Sequence, residues 1–416
     1  MSLNFERLEE ELRACGKYKV LQNDVTLVYE DRPGTGLVQG EITICSGSHH
    51  VHPFATMHLL EHMLFNGTLT ISTPQEVDLR ALQYGLLLNA TTYGQQVVIP
   101  ISGENETPLL QSNFIPAFSH VLDIVYHPLL TAESFLKEQI IIRREEKEDE
   151  PNPANKLLYP NNPVLWTPRS LEKVTLEQVR RLHQETFVGA NTIVTLLGDI
   201  NGDITHRLET AIEGDLSNIL KGNRTRSVEY KSELPFKKEK INCLGNPSQK
   251  DEVTVSIYYQ IPNPEKDEQA LQMMCRVLTG SVVSILMDRL REQTKYTYHV
   301  DARLESLHDK TGYLVIEYKI QYSNLAQSIQ EVSNGIATLL SGNFDDRLYE
   351  GMRAVMLPQF LQAYSQPGWM IEELLSRRMY KKEPFQEAKR ALAVTKRSII
   401  DVANSYLTGK RLFVVN

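Results

Sequence analysis

The chain of 416 residues has no run of about 18 apolar residues, so no membrane-crossing helix is expected. It has only four cysteines, Cys15, Cys45, Cys243 and Cys275, and no Cys-x-x-Cys pair. Cysteines scattered in this way point to buried, reduced thiols and away from a disulfide framework or a cysteine metal site. Positive charge is in short supply: 44 Lys and Arg against 52 Asp and Glu leave a net charge of −8. With no basic patch and no interleaving of aromatic and basic residues, nucleic acid is not expected as a partner. The start, "MSLNFERLEEELRACGKYKV", has acidic residues where a secretory signal would be apolar. The expectation is a cytoplasmic protein that makes no membrane contact.

What is present is an ordinary globular composition, 41% hydrophobic and 23% charged, in a chain long enough for two domains. "YKVLQNDVTLVYED" and "LVQGEITICSGS" alternate apolar and polar residues with turn residues between them, as a hairpin would. "HPFATMHLLEHMLFNG" is apolar at helical spacing and stops at Gly67. "TPQEVDLRALQYG" opens with Thr73 as N-cap, Pro74 at N1 and Glu76 at N3, and closes on Gly85. Helices are also expected at "IPAFSHVLDIVYHPLL" and "TAESFLKEQIIIRREEKED". The plan then recurs. "VTLEQVRRLHQETFVG" from Val174 leads into "NTIVTLLGD", and "VTKRSIIDVANSYLTG" from Val394 leads into "RLFVVN", both at an offset of 220 residues. This predicts an α+β fold of two homologous domains from an internal duplication, each a mostly antiparallel sheet covered by helices on one face. The boundaries are 1–220, a polar linker at 221–240, and 241–416.

The chemistry concentrates in "HLLEH". His58 and His62 are four apart, so on a helix they share one face and can aim their imidazoles at one point. That is what a pair of zinc ligands requires, with bonds of about 2.0–2.1 Å. Glu61 borders the same point without ligating, where a general base for a metal-bound water belongs. An open zinc site needs a third protein ligand, and "FLKEQIIIRREEKEDE" offers it. Glu138 and Glu145 are two helical turns apart on one face, so Glu145 can ligate with Glu138 behind it. Glu146 and Glu148 compete with Glu145 by spacing alone. A solvated histidine pair and a solvated acidic run are the bland readings of the same residues.

Together these motifs resemble the pitrilysin/insulinase-type metallopeptidases, the inverzincins, of the half-length two-domain kind similar to mitochondrial processing peptidase subunits. "HLLEHMLFNGT" resembles that family's HxxEHxxFxGT, "NATT" its Asn-Ala-x-Thr strand, "EQIIIRRE" its distal glutamates, and "LMDRLREQTKYTYHV" its Arg-x6-Tyr pair. The resemblance implies one Zn2+ per chain on His58, His62 and Glu145, with Glu61 deprotonating the water and Glu138 supporting the site. It implies that Asn89 and Ala90 belong to an edge strand that pairs with an extended peptide substrate. Arg291 and Tyr298 would hold a substrate carbonyl and stabilise the oxyanion. It further implies a dimeric chamber with Arg291 and Tyr298 acting across the dimer. A homodimer would be self-sufficient, and a heterodimer with a related chain is the alternative.

The chain departs from the family pattern at Phe54-Ala55-Thr56-Met57 and at Val97 and Ile99. His49, His50 and His52 cluster just upstream of the motif and read as loop histidines, with a pH-sensitive or accessory metal role as the lesser reading. The expected activity is that of a zinc-dependent endopeptidase acting on peptides or small unfolded polypeptides. Its rivals are a catalytically inactive core or partner subunit on the same fold and a zinc hydrolase for non-peptide substrates.

Overall fold

The computed structural model describes residues 16–148, 155–158, 171–200, 202–215, 221–226, 240–244, 246, 248, 250–262, 264–306, 311–362, 366–380, 386–409 and 411–416. Cys15 and most of the expected linker lie outside them. The chain divides into two units, each discontinuous. One comprises 1–152, 164–228 and 363–384; the other comprises 153–163, 229–362 and 385–416. The units therefore exchange segments, which a division into consecutive stretches does not contain. Among the described residues no helix is long and apolar enough to cross a membrane.

The first unit is built on a seven-stranded sheet. Its strands are β1 (Lys17–Val20), β2 (Thr26–Asp31), β3 (Leu37–Ile44), β4 (Thr91–Thr92), β5 (Val97–Ile101), β6 (Leu109–Leu110) and β7 (Thr192–Gly198). The order is β1-β2-β7-β3-β5-β4, with β6 beside β3, and the β2–β7 pair is the parallel one. Its helices are α1 (Ala55–Leu64), α2 (Pro74–Gln83), α3 (Gln111–Tyr126), α4 (Ala132–Glu148), α5 (Leu176–Thr186) and α6 (Gly202–Asp215).

The start of α2 follows the expectation. Thr73 accepts a hydrogen bond from Glu76 N at 3.3 Å, and Gly85 takes a φ of +74°. The expected hairpin between the first two strand segments is corrected. β2 and β3 both pair with β7, which lies between them, and the hairpin is β1–β2 within the first segment. Every residue of β7 is buried, as suits a central strand. Alternation in β2 and β3 marks a buried face without naming the neighbour that supplies it. α3 starts earlier than expected and ends at Tyr126, two residues before Pro128.

The second unit has β8 (Lys240–Cys243), β9 (Glu252–Pro262), β10 (Val300–Ser306), β11 (Thr311–Gln321) and β12 (Arg411–Val415), ordered β10-β11-β9-β12-β8. Helices α7 (Pro264–Thr279), α8 (Leu325–Ser341) and α9 (Asp346–Gln362) follow in this half. Next come α10 (Pro367–Tyr380), which belongs to the first unit, then α11 (Gln386–Ala393) and α12 (Lys396–Tyr406).

The duplication is visible in detail. β12 lies between a parallel neighbour, β8, and an antiparallel one, β9, as β7 lies between β2 and β3. α5 and α12 both open with capping boxes, Thr175 with Gln178 and Thr395 with Ser398, 220 residues apart. The exchanged segments correspond as well. Leu158, buried, accepts a hydrogen bond from Tyr313 Oη of β11 at 2.6 Å, and 220 residues later the chain is within α10.

Side chains on alternate sides of β3 show what covers each face of the first sheet. Gly40 lies against Phe114 of α3, whereas the next residue, Glu41, feels Glu372 of α10 and Glu106. α10 thus lies on the face opposite α3. Burial raises the Glu41 carboxyl to about 7.

Candidate metal centre

α1 is apolar on nearly every side, and Met57, Leu59, Leu60, Met63 and Leu64 are fully buried. The Thr56 hydroxyl, near its start, donates to Pro53 O at 2.6 Å. Only His58 and His62 bring polar atoms to a partly open side, with side-chain exposures of 16% and 18%. Past the helix, Gly67 takes a φ of +133°, and a Cβ there would lie 2.9 Å from Ile71 O. The glycine lets the chain turn back sharply, and Leu129 N bonds Gly67 O at 2.8 Å just ahead of α4, which packs on α1.

That packing carries Glu145 to the histidines. Glu145 Oε2 lies 3.7 Å from His58 Nε2 and 3.5 Å from His62 Nε2. The ligand atoms of the three residues all fall within 4.8 Å of one another. A tetrahedral ion with bonds of about 2.0–2.1 Å separates its ligands by about 3.4 Å, close to the spacings of Glu145 from the two histidines. The Glu145 side chain is 46% exposed, which leaves the centre accessible on that side. The side chains of Glu146 and Glu148 lie outside the described residues.

Behind the centre, His62 Nδ1 and Glu138 Oε2 are 3.2 Å apart. Glu138 is buried, and its other oxygen accepts from Asn66 Nδ2 at 2.9 Å. Asn66 also donates to His62 O at 3.0 Å, and Lys137 Nζ donates to Asn66 Oδ1 at 3.0 Å. Engaging Nδ1 directs His62 Nε2 toward Glu145. Burial opposes charge on His62, but the Glu138 bond and the nearby carboxylates of Glu145 and Glu61 outweigh it and raise its pKa. Burial likewise opposes charge on Glu138, yet the bonds from His62, Asn66 and Lys137 hold its pKa below the usual value. Two imidazoles facing three carboxylates make a centre that attracts a cation, and this donor set fits zinc.

Glu61 is buried beside the centre at 8% exposure. Burial raises its pKa, Thr92 and His62 oppose the rise, and Glu145 adds to it. Thr92 belongs to β4, which abuts α1 at the edge of the sheet. Asn89 and Ala90 are corrected here: they lead into this edge strand rather than lie within it. Asn89 Oδ1 accepts from Ala90 N at 3.0 Å, a local bond that competes with strand pairing at that amide.

Arg291 and Tyr298 belong to the second unit. They meet each other, with the guanidinium 4.8 Å from the centre of the tyrosine ring, and Arg291 Nε lies 3.2 Å from Glu292. Tyr298 is 81% exposed. His49, His50 and His52 sit in the loop before α1, and the metal-type cluster among the described residues is His58, His62 and Glu145. Sequence reasoning missed Asn66 and Thr92. The first was readable as the residue four after His62, placed to bond its carbonyl; the second depends on long-range packing.

Comparison with known families identifies the fold. The model "Insulinase (Peptidase family M16)" matches residues 26–161, and "Peptidase M16 inactive domain" matches 173–356. The chain belongs to peptidase family M16. Among M16 relatives, the "uncharacterized zinc protease YmxG" of Bacillus subtilis is 24% identical over 352 residues, covering 80% of this chain and 81% of that protein. The "non-peptidase homolog YmxG" of Helicobacter pylori is 24% identical over 319 residues, covering 69% and 71%. Solved M16 structures share the fold. The M16 inactive domain from Pseudomonas fluorescens superposes with a TM-score of 0.80 at 14% identity, covering 96% of this chain and 97% of that one. The first half of the periplasmic protease PqqL from Escherichia coli gives 0.77 at 15% identity, covering 97% and 92%.

Proposed function

We propose that this chain is a zinc-dependent endopeptidase that hydrolyses peptides or small unfolded polypeptides, with one zinc per chain. The observation that carries the reading is the convergence of His58, His62 and Glu145 from two helices, with the buried Glu61 beside them. His58, His62 and Glu145 would hold the ion. When bound, zinc supplies Lewis acidity to a substrate carbonyl and lowers the pKa of a water. Glu61, buried beside the three ligands, would accept the proton from that water. The edge at Asn89 to Thr92 offers backbone groups to an extended peptide. Arg291 and Tyr298 bind a substrate carbonyl and the charge that develops on it.

Glu138 fixes the tautomer and orientation of His62. Glu138→Gln should lower zinc affinity by about 10–100-fold, read by competition with a chromogenic chelator. Unchanged affinity would remove Glu138 from the site.

We also propose a dimer, with a homodimer favoured because one chain carries both the zinc motif and the Arg291/Tyr298 pair. In it the pair of one subunit serves the zinc centre of the other. Mixing a Glu61→Gln chain with an Arg291→Ala chain should then restore part of the activity that each lacks alone. No recovery from confirmed mixed dimers would contradict action across the dimer. The cytoplasm is the proposed compartment, in keeping with the free thiols of Cys45, Cys243 and Cys275.

A second reading, a non-catalytic partner subunit on this fold, is favoured by the relative described as a non-peptidase homolog. Digestion of a mixed peptide pool with and without a chelator separates the two. Chelator-sensitive cleavage supports the peptidase, and none supports the partner.

A further inference from the structure

The loop histidines upstream of α1 have a defined place in the architecture. Ser48–His50 form one tight helical turn, and its backbone is docked on the tip of the β4–β5 hairpin. Ser48 N donates to Tyr93 O at 3.0 Å, and His49 N donates to Gly94 O at 2.8 Å. The approach is too close for extra side chains. A Cβ on Gly47 would lie 2.2 Å from Tyr93 O and 2.5 Å from Gln96 N. A Cβ on Gly94 would lie 2.5 Å from the His49 ring. His50 braces the turn from behind: its Nδ1 accepts from Gly47 N at 3.0 Å, and its Nε2 donates to Arg226 O at 3.1 Å. With one nitrogen accepting and the other donating, the ring is neutral, and burial lowers its pKa accordingly.

Where this turn sits along the edge gives it a consequence. Thr92 is the β4 residue beside Glu61, and Tyr93 and Gly94 are the next two residues. A peptide laid along the edge from Asn89 toward Thr92 therefore reaches the catalytic base and then the hairpin tip, where Tyr93 N is committed to Gln96 O at 2.8 Å and the Gly94 carbonyl is held by the chain's own turn. β5 pairs with Thr91 and Thr92 from the inner side; beyond that pairing and among the described residues, no segment makes a pair of backbone bonds with Asn89 to Thr92.

We propose that the Gly47–His50 turn closes the substrate-pairing edge on one side of the scissile bond, with His49 as the specificity-determining residue at that boundary. An extended peptide is held by backbone pairing on the Asn89–Thr92 side only. Past Thr92 it turns away from the sheet and meets the His49 ring and Tyr93, which is 52% exposed. This rests on the peptidase reading above.

The test uses two peptide series that share a cleavable core and are lengthened one residue at a time, one series from each end. For the wild type, kcat/KM should rise about fivefold for each of the first two residues added on the pairing side, as one net backbone hydrogen bond would give. It should rise less than about twofold on the other side. His49→Pro removes the N–H that bonds Gly94 O, and Gly47→Ala forces the turn off the hairpin. Either should bring about fivefold length dependence to the formerly silent side at unchanged metal content. His49→Ala keeps the N–H, so it should keep the wild-type length profile while changing which side chain is preferred just past the boundary. Equal length dependence at both ends of the wild type overturns the proposal, and so does an unaltered profile in both opened variants. If the wild type cleaves nothing, the peptidase reading fails. The same series is then read as Kd by fluorescence anisotropy on the zinc-loaded chain, where asymmetry upholds the closed edge and symmetry overturns it.

Discussion

A Glu61→Gln chain is expected to keep its zinc and to lose about 10²–10⁴-fold in turnover, the range that a positioned general base supplies. Glu61 is not among the three converging ligands, so the metal has no reason to leave. Gln is nearly isosteric, so the packing of α1, where the residue is buried, should survive. What disappears is the ability to accept a proton in a pocket whose burial raises the carboxyl's pKa. Turnover of a quenched peptide, read beside metal content on the same sample, separates this outcome from a folding defect. Undiminished cleavage would remove Glu61 from the mechanism.

Glu145→Gln is expected to strip the metal. An amide is a much weaker zinc ligand than a carboxylate, and loss of a direct ligand should exceed the roughly 10–100-fold effect of a supporting group. Zinc per chain should fall from near one to near zero after dialysis, and activity should fall with it. Glu146→Gln, one residue on, is the control and should retain its metal. The opposite pattern would move the third ligand by one residue.

The parts of this centre that were legible in the sequence are local. His58 and His62 share a face because four residues make about one helical turn, and Glu138 and Glu145 share one because seven make two. Spacing could not choose among Glu145, Glu146 and Glu148. That choice depends on how α4 is rotated against α1, and the structure brings Glu145 within 3.7 Å of both histidines. The duplication was legible for the same reason: capping Thr175 and Thr395 mark helices of matched length. The partner of β2 was not, because β7 arrives from about 160 residues downstream and an alternating strand does not state its neighbour. Nor was the placement of α10 on the first sheet, or β10 at the edge of the second. The histidine cluster was seen but not understood. Its meaning lies in backbone contacts between Gly47–His49 and Tyr93–Gly94, which no spacing rule encodes.

X-ray absorption at the zinc edge of the purified chain tests the central claim most directly. The expected first shell is two imidazole nitrogens, one carboxylate and one exchangeable oxygen. A chain that takes up no zinc, or a shell without imidazole or without the exchangeable oxygen, would contradict it.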